Sequence, residues 1–399
     1  MTRFNISKEE DILRGDTTDI YFVRTQEILK HYGIDKKRAY SEFTCGDLPE
    51  GYSWAVFCGL DEVLKLFQKI PCDLYALPEG TLFPALDITG VRIPVMTIEG
   101  PYGDYSIYET PALGFICQAT GIATKSARLR KLAGDLLILS FGIRRMHPAI
   151  APMIDRAAYI GGCDSVSSII GANTINKEPM GTMPHALVVM FGSQEEAFIS
   201  FDRVMPKKIK RIMLIDTYLD EKQEAILAIG ALGKKLEGVR LDTPPSRRGD
   251  ITKIVREIRW ELDLRGFKNV KIIVSGGIDE EDIPSLINAK ADGFGIGTSI
   301  SNTRVIDFAM DIVELEGKPC AKKGKFSGKK QVFKCSKCFS FLVLPIASAA
   351  PSCPDCKVRM KRLLRQYIKN GKTLERYPAI DRIRDYVKNQ LKHIGLNDR

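Results

Sequence analysis

Val270-Lys271-Ile272-Ile273-Val274-Ser275-Gly276-Gly277 and Ala291-Asp292-Gly293-Phe294-Gly295-Ile296-Gly297-Thr298 are two apolar runs that each close in a glycine turn. Each run predicts a buried strand of a parallel sheet, because such strands are covered on both faces and tolerate few polar residues. Glycine after a strand leaves backbone N–H groups open, and two such turns on neighbouring strands form a cradle for a phosphate. In a (β/α) barrel, phosphate sits after the last two strands. Ser275, Gly276, Gly277, Gly295, Gly297 and Thr298 are therefore the expected phosphate ligands. The competing reading is that the glycines only make tight strand–helix turns.

The same texture recurs upstream. Leu136-Leu137-Ile138-Leu139-Ser140 ends in Phe141-Gly142-Ile143-Arg144-Arg145. Tyr159-Ile160-Gly161-Gly162 ends in Cys163-Asp164-Ser165, and Ile212-Met213-Leu214-Ile215 ends in Asp216-Thr217. Val239 leads into Arg240-Leu241-Asp242-Thr243. Strands alternating with helical segments imply βαβ units. Their polar ends then gather on one side of the sheet, which is the active side in barrels and open α/β sheets. No GxxxxGK[ST] loop occurs, and no GxGxxG sits in a dinucleotide-binding context.

Arginines beside a phosphate cradle suit a substrate with more than one phosphate, since guanidinium forks bind phosphoryl oxygens bidentately. The aspartates suit ribose hydroxyls or Mg²⁺. The chain has four histidines. His31 and His393 lie on expected surface helices, and His147 precedes a proline. His185 opens an apolar helix, where free N–H groups favour an anion. That suits a nitrogen that carries a phosphoryl group. The plainer alternative is a hydrogen-bonded histidine at a helix start with no chemistry.

Cys335-x-x-Cys338 and Cys353-x-x-Cys356, 14 residues apart, have the spacing of a Cys₄ zinc site. Four protein ligands leave no place for a substrate water, so the expected role is structural. The six other cysteines read as core thiols. Cysteine usage and the polar start of the chain point to a reducing, cytoplasmic compartment, and no stretch is long and apolar enough to span a membrane.

Net charge is +10. Residues 318–399 hold 21 Lys and Arg against 5 Asp and Glu, so the basic character belongs to the end of the chain. A basic zinc ribbon suits nucleic acid. The weightier reading is a metal-stapled module that docks on the enzyme or on a partner subunit. The expected domains are 1–110, a small α+β region; 111–317, an α/β barrel; and 318–399, the basic zinc module.

These pieces together resemble the barrel-type (type II) phosphoribosyltransferases that act on nicotinate. The resemblance covers roughly residues 15–305 and rests on Thr18-Asp19-Ile20-Tyr21, Phe141-Gly142-Ile143-Arg144-Arg145, Gly181-Thr182 with His185, Arg240-Leu241-Asp242-Thr243 and Ser275-Gly276-Gly277. The zinc knuckles resemble the extra C-terminal module of archaeal-like members. The resemblance implies transfer of 5-phosphoribosyl from phosphoribosyl pyrophosphate to nicotinate, coupled to ATP hydrolysis through phosphohistidine at His185. It implies Phe141 on one face of the pyridine ring and Tyr21 from the other subunit of a dimer on the opposite face. Arg144 and Arg240 would contact phosphate or the ring carboxylate, Asp242 and Thr243 would lie near ribose and Mg²⁺, and Asp216 would position ribose or the histidine. Asp164, beside Ser165, stands where nicotinate-using members often have a small hydroxyl residue and the nicotinamide enzyme has an aspartate. That keeps nicotinamide as an alternative substrate. Quinolinate phosphoribosyltransferase, with its similar barrel, and an RNA-binding or RNA-modifying barrel are competing readings.

Overall fold

In a computed structural model, which describes residues 4–374 and 377–397, the two glycine-closed runs are adjacent parallel strands. They belong to a six-stranded sheet of β1 (Leu137–Ser140), β2 (Ser165–Val166), β3 (Ile212–Leu214), β4 (Gly238–Leu241), β5 (Lys271–Val274) and β6 (Gly293–Ile296). The spatial order is β2-β1-β6-β5-β4-β3, and every pairing is parallel. Read as a ring this is simple chain order, so the sheet is a barrel left open between β2 and β3. The strands bury Ile138, Leu139, Met213, Leu214, Val239, Leu241, Ile272, Phe294 and Ile296, as expected where both faces are covered.

The connecting helices are α1 (Ala151–Gly161), α2 (Ile169–Thr174), α3 (His185–Phe191), α4 (Gln194–Val204), α5 (Glu221–Leu232), α6 (Ile251–Leu264), α7 (Ile283–Asn288) and α8 (Thr298–Ser301). Local chemistry sets several starts. The side chains of Ser193, Asp220 and Asp250 accept from Glu196, Lys222 and Thr252 N–H at the first turns of α4, α5 and α6. Helix α6 buries Ile251, Val255, Ile258 and Leu262, one stripe at helical spacing. This sheet and its helices form one compact unit, residues 125–303.

One expectation changes here. The run Tyr159-Ile160-Gly161-Gly162 is the end of α1, not a strand; the helix stops at Gly162, at φ 127°, and the strand follows at Ser165–Val166. A short apolar run does not by itself distinguish a buried helix turn from a strand. The barrel is open on one side, between β2 and β3. Along the free edge of β2, Met180 N–H donates to Val166 O at 2.9 Å and Ser165 Oγ donates to Glu178 O at 3.2 Å. This irregular stretch leads the chain into α3.

The second compact unit joins residues 1–124 to 304–399. Its seven-stranded antiparallel sheet has the order Lys318–Pro319, Phe308–Leu315, Arg38–Cys45, Pro94–Pro101, Asp73–Ala76, Arg365–Lys369, Lys372–Thr373. Segments expected as separate domains, 1–110 and 318–399, thus contribute strands to one sheet and side chains to one core, including Phe43, Leu74, Ile98, Val332, Phe341 and Ile368. The passage between units falls inside the helix Glu109–Ala133. The basic segment after Lys318 turns inward within this unit. Lys322 and Lys325 pair with Asp311, Lys329 with Glu99 and Glu314, and Lys330 with Glu42. Among the scattered cysteines, Cys45, Cys58, Cys72 and Cys163 are buried and Cys117 partly so, whereas Cys320 is exposed and is not a core thiol. Burial pushes the Cys45 and Cys72 thiols up to about 12, which makes them inert. Among the described residues no helix is long and apolar enough to cross a membrane.

Candidate active site

Strands β3 and β4 end side by side, and their first residues beyond the sheet make the centre of the site. The Asp216 side chain is 2% exposed. Its Oδ2 accepts from Asp242 N–H at 2.6 Å and from Thr243 Oγ1 at 2.7 Å. Its Oδ1 is buried without a hydrogen-bond partner and lies 3.7 Å from His185 Nε2. The same nitrogen is 3.9 Å from Asp242 Oδ2, and His185 Nδ1 is 3.1 Å from Thr217 Oγ1. Arg240 donates to Met183 O at 3.3 Å and so holds the backbone just ahead of His185. Its guanidinium is 3.8 Å from Asp242 Oδ2. Burial pulls the Arg240 pKa below its usual value, and Asp242 and Asp216 oppose that. The cluster gathers a nucleophilic nitrogen, two carboxylates and a guanidinium at one end of the sheet.

The glycine turns divide into two kinds. Gly276 has φ 86°, and a Cβ there would lie 2.5 Å from Asp242 O, so this turn requires glycine. It brings the β5 loop against the β4 loop, where Arg248 donates to both Thr243 O and Gly276 O. Gly277, beside it, has φ 80°, and a Cβ there would lie 3.2 Å from the Pro245 ring. Gly295 serves a different purpose: a Cβ there would meet the Phe141 ring at 2.5 Å. It lies within β6 and makes room for that ring. Gly297 is not in a positive-φ conformation, and Thr298 begins α8. The Ser275 hydroxyl is committed to Leu241 O and Asp242 Oδ1, at 3.0 and 2.7 Å, so it orients Asp242 and is not free as a phosphate ligand. Asp279 braces the two turns, accepting from Ser299 Oγ at 2.8 Å and pairing with Lys125 at 2.5 Å.

Other expected residues lie elsewhere. Asp164 precedes β2 and sits at the opposite end of the sheet. Its Oδ2 accepts from Ile138 N–H at 2.9 Å and pairs with Arg130 at 2.5 Å. The mistaken strand at 159–162 is what placed it on the active side. Ser165 lies within β2 and is bound to Glu178 O. Arg144 is exposed on the turn Ile143–Arg145, just after β1. Tyr21 belongs to the other unit, exposed on the helix Ile20–His31. Thr217, Glu221, Arg248, Lys125 and Asp279 were missed. Thr217 alone was findable, as the residue after a strand-end aspartate. Glu221 lies 3.0 Å from Thr243 Oγ1 and, like the other three, reaches the site through contacts that leave no local pattern.

In the other unit, Cys335, Cys338, Cys353 and Cys356 bring their sulfurs within 4.8 Å of one another. In both knuckles the residue after the second cysteine takes a positive φ, Phe339 at 63° and Lys357 at 59°, which turns the chain back. Cys335 N–H accordingly donates to Ser340 O and Cys353 N–H to Val358 O. A tetrahedral thiolate-bound metal needs sulfurs about 3.8 Å apart, and this cluster can hold one.

Comparison with known proteins agrees across the chain. Residues 122–311 match the profile described as quinolinate phosphoribosyl transferase, C-terminal domain, and residues 19–120 match the corresponding N-terminal domain. A nicotinate phosphoribosyltransferase of Mycobacterium tuberculosis is 29% identical over 349 residues, 83% of this chain and 71% of that protein. One of Bacillus subtilis is 30% identical over 317 residues, 71% of this chain and 62% of that protein. A crystal structure of nicotinate-nucleotide pyrophosphorylase from Pyrococcus furiosus is 48% identical, with a TM-score of 0.94 over 98% of this chain and 99% of that one. Human nicotinic acid phosphoribosyltransferase, 21% identical, shares the fold at a TM-score of 0.77 over 95% of this chain and 94% of that one.

Proposed function

The chain belongs to the type II phosphoribosyltransferase family, and from that premise we propose that it is a nicotinate phosphoribosyltransferase of NAD biosynthesis. It joins the ring nitrogen of nicotinate to C1′ of phosphoribosyl pyrophosphate and releases pyrophosphate. The named relatives support this choice, and the observation that carries the chemistry is His185 held between Thr217 and the carboxylates Asp216 and Asp242.

In this reading the Gly276 and Gly277 turn receives the 5′-phosphate, and Phe141 lies flat against the pyridine, its place secured by Gly295. Tyr21 of a second copy covers the opposite face in a homo-oligomer. Arg240 and Arg144 bind phosphoryl or carboxylate oxygens. As the C1′–O bond to pyrophosphate breaks, positive charge grows on the ribose and negative charge on the leaving group. Asp242 and Thr243 face the former, and Arg240 stabilises the latter. The partnerless Asp216 Oδ1 fits a cation, so Asp216 and Asp242 would hold Mg²⁺, which supplies charge neutralisation for pyrophosphate when bound.

In the tautomer whose Nδ1–H donates to Thr217 Oγ1, the lone pair of His185 sits on Nε2. That nitrogen takes the γ-phosphoryl of ATP: the N–P bond forms as the P–O bond to ADP breaks. Water later releases phosphate. The four-cysteine cluster takes zinc, as a structural staple of the mixed unit. Incubation with γ-labelled ATP should leave an acid-labile label that His185→Ala abolishes. A wild-type protein that turns over nicotinate with ATP yet takes no label would overturn the phosphohistidine step.

Quinolinate is the second reading, favoured by the family profile itself. It predicts turnover of quinolinate without ATP and with release of CO₂. Nicotinamide loses its motivation, because Asp164 is bound to Arg130 and the β1 backbone. RNA binding loses part of its motivation too, because four lysines of the basic segment, Lys322, Lys325, Lys329 and Lys330, pair with acids of their own unit.

A further inference from the structure

Behind His185 lies a pair of buried polar side chains that none of these steps uses. Glu224, on α5, is 0% exposed, and Gln194, the first residue of α4, is 5% exposed. Glu224 Oε2 accepts from Gln194 Nε2 at 2.7 Å and from Thr217 N–H at 2.9 Å. Its Oε1 accepts from Tyr218 N–H at 2.6 Å and Leu219 N–H at 2.8 Å. Gln194 Nε2 also donates to Leu214 O of β3 at 2.6 Å. Both neighbours of that nitrogen are acceptors, which settles the amide orientation.

Burying a carboxylate with no cation beside it is costly. Burial does push the Glu224 pKa up, against three backbone N–H groups that pull it down. A helix cap does not explain it, because Asp220 already caps α5. What the pair does is connect. His185 opens α3, and α4 follows directly after Gly192-Ser193, so Gln194 belongs to the helical hairpin that carries the histidine. The amides held by Glu224 are those of Thr217, Tyr218 and Leu219, and Thr217 and the preceding Asp216 are two of the residues that face the imidazole.

We propose that Glu224 and Gln194 form a positioning pair that holds Thr217 against Nδ1 of His185 and so sets which imidazole nitrogen carries the proton. The consequence for phosphoryl transfer rests on His185 being the phosphorylated residue; the tautomer does not. The prediction is a single dominant tautomer, with the proton on Nδ1.

The test uses the full-length enzyme with ¹⁵N-labelled histidine. With four histidines in the chain, His185 can be assigned by its loss in His185→Asn, and long-range ¹H–¹⁵N spectra read the tautomer. In Glu224→Gln the Nδ1–H form should give way to a mixture. Labelling by γ-labelled ATP should fall about tenfold or more, while ATP-independent transfer changes by less than about threefold. Gln194→Met, which leaves the carboxylate on its three amides, should shift the tautomer the same way and decides the matter if Glu224→Gln fails to fold. An unchanged tautomer in a folded variant overturns the proposal. So does an equal fall in labelling and in ATP-independent transfer, which would mean general damage. A wild-type enzyme that takes no label removes the phosphohistidine reading alone, and the spectra still judge the pair.

Discussion

The two ends of the parallel sheet carry similar residues and use them oppositely. At the N-terminal end, acids just before a strand hold the start of the neighbouring strand. Asp164 accepts from Ile138 N–H, Asp292 from Ile272 N–H and Glu237 from Arg211 N–H, at 2.9, 3.0 and 2.8 Å. Arg130 and Lys271 pair with the first two. These carboxylates are consumed by the fold. At the C-terminal end, Asp216 keeps one buried oxygen without a donor, and Asp242 keeps Oδ2 turned toward His185 and Arg240. The backbone accounts for the difference. Every parallel strand leaves spare N–H groups at its start, which carboxylates satisfy. At its finish the loops open outward and acids meet cations and substrates instead. A carboxylate near a strand is thus chemical or structural by which end it occupies.

Substitutions at the two ends should separate sharply. Asp216→Asn, at the C-terminal end, should lower ATP-coupled turnover by about 10²–10⁴-fold, and steady-state kinetics with and without ATP would expose an unaffected enzyme at once. Gly295→Ala, also at that end, pushes a methyl into the Phe141 ring. It should cut kcat/KM for the pyridine substrate by about tenfold to a hundredfold, and an unchanged value would show that the ring does not rest there during turnover. Asp164→Ser tests the opposite end. Turnover and the ratio of nicotinate to nicotinamide use should stay within about threefold, while denaturant unfolding shows a loss of about 1.5–3 kcal/mol from the charge-assisted bonds. A switch in substrate preference would return Asp164 to the site. The smallest effect on the initial rate is expected from chelation, because the cysteine cluster belongs to the other unit. Metal analysis should find about one zinc per chain, and a chelated enzyme should melt at a lower temperature while a freshly treated sample still turns over.

Much of the parallel sheet was readable. Four of its six strands appear as apolar runs with polar or glycine ends, because burial on both faces excludes polar residues, and a fifth, Gly238–Leu241, shows only as Val239 leading into Arg240. The sixth, Ser165–Val166, is too short to give a pattern, and the buried end of α1 imitated one. His185, Asp216 and Asp242 were legible as strand-end or helix-start residues. Arg248, through its bond to Gly276 O, and the Lys125–Asp279 brace were not, since each depends on a partner far along the chain. Ser275 read as a phosphate ligand because its place in the turn is visible and its bond to Asp242 is not.

By itself the sequence determined the strand–helix alternation, the glycine turns and the four-cysteine cluster, because periodicity, turn conformation and ligand spacing are local properties of a chain. The tertiary structure decided the rest. It placed Asp164 at the structural end and Asp216 at the chemical end of one sheet, left the barrel open where α3 carries His185 in, and wove residues 38–45 and 308–315 into a common antiparallel sheet. Those outcomes turn on which strands pair and which backbone groups are left to satisfy, and pairing between distant segments leaves no mark on either segment alone.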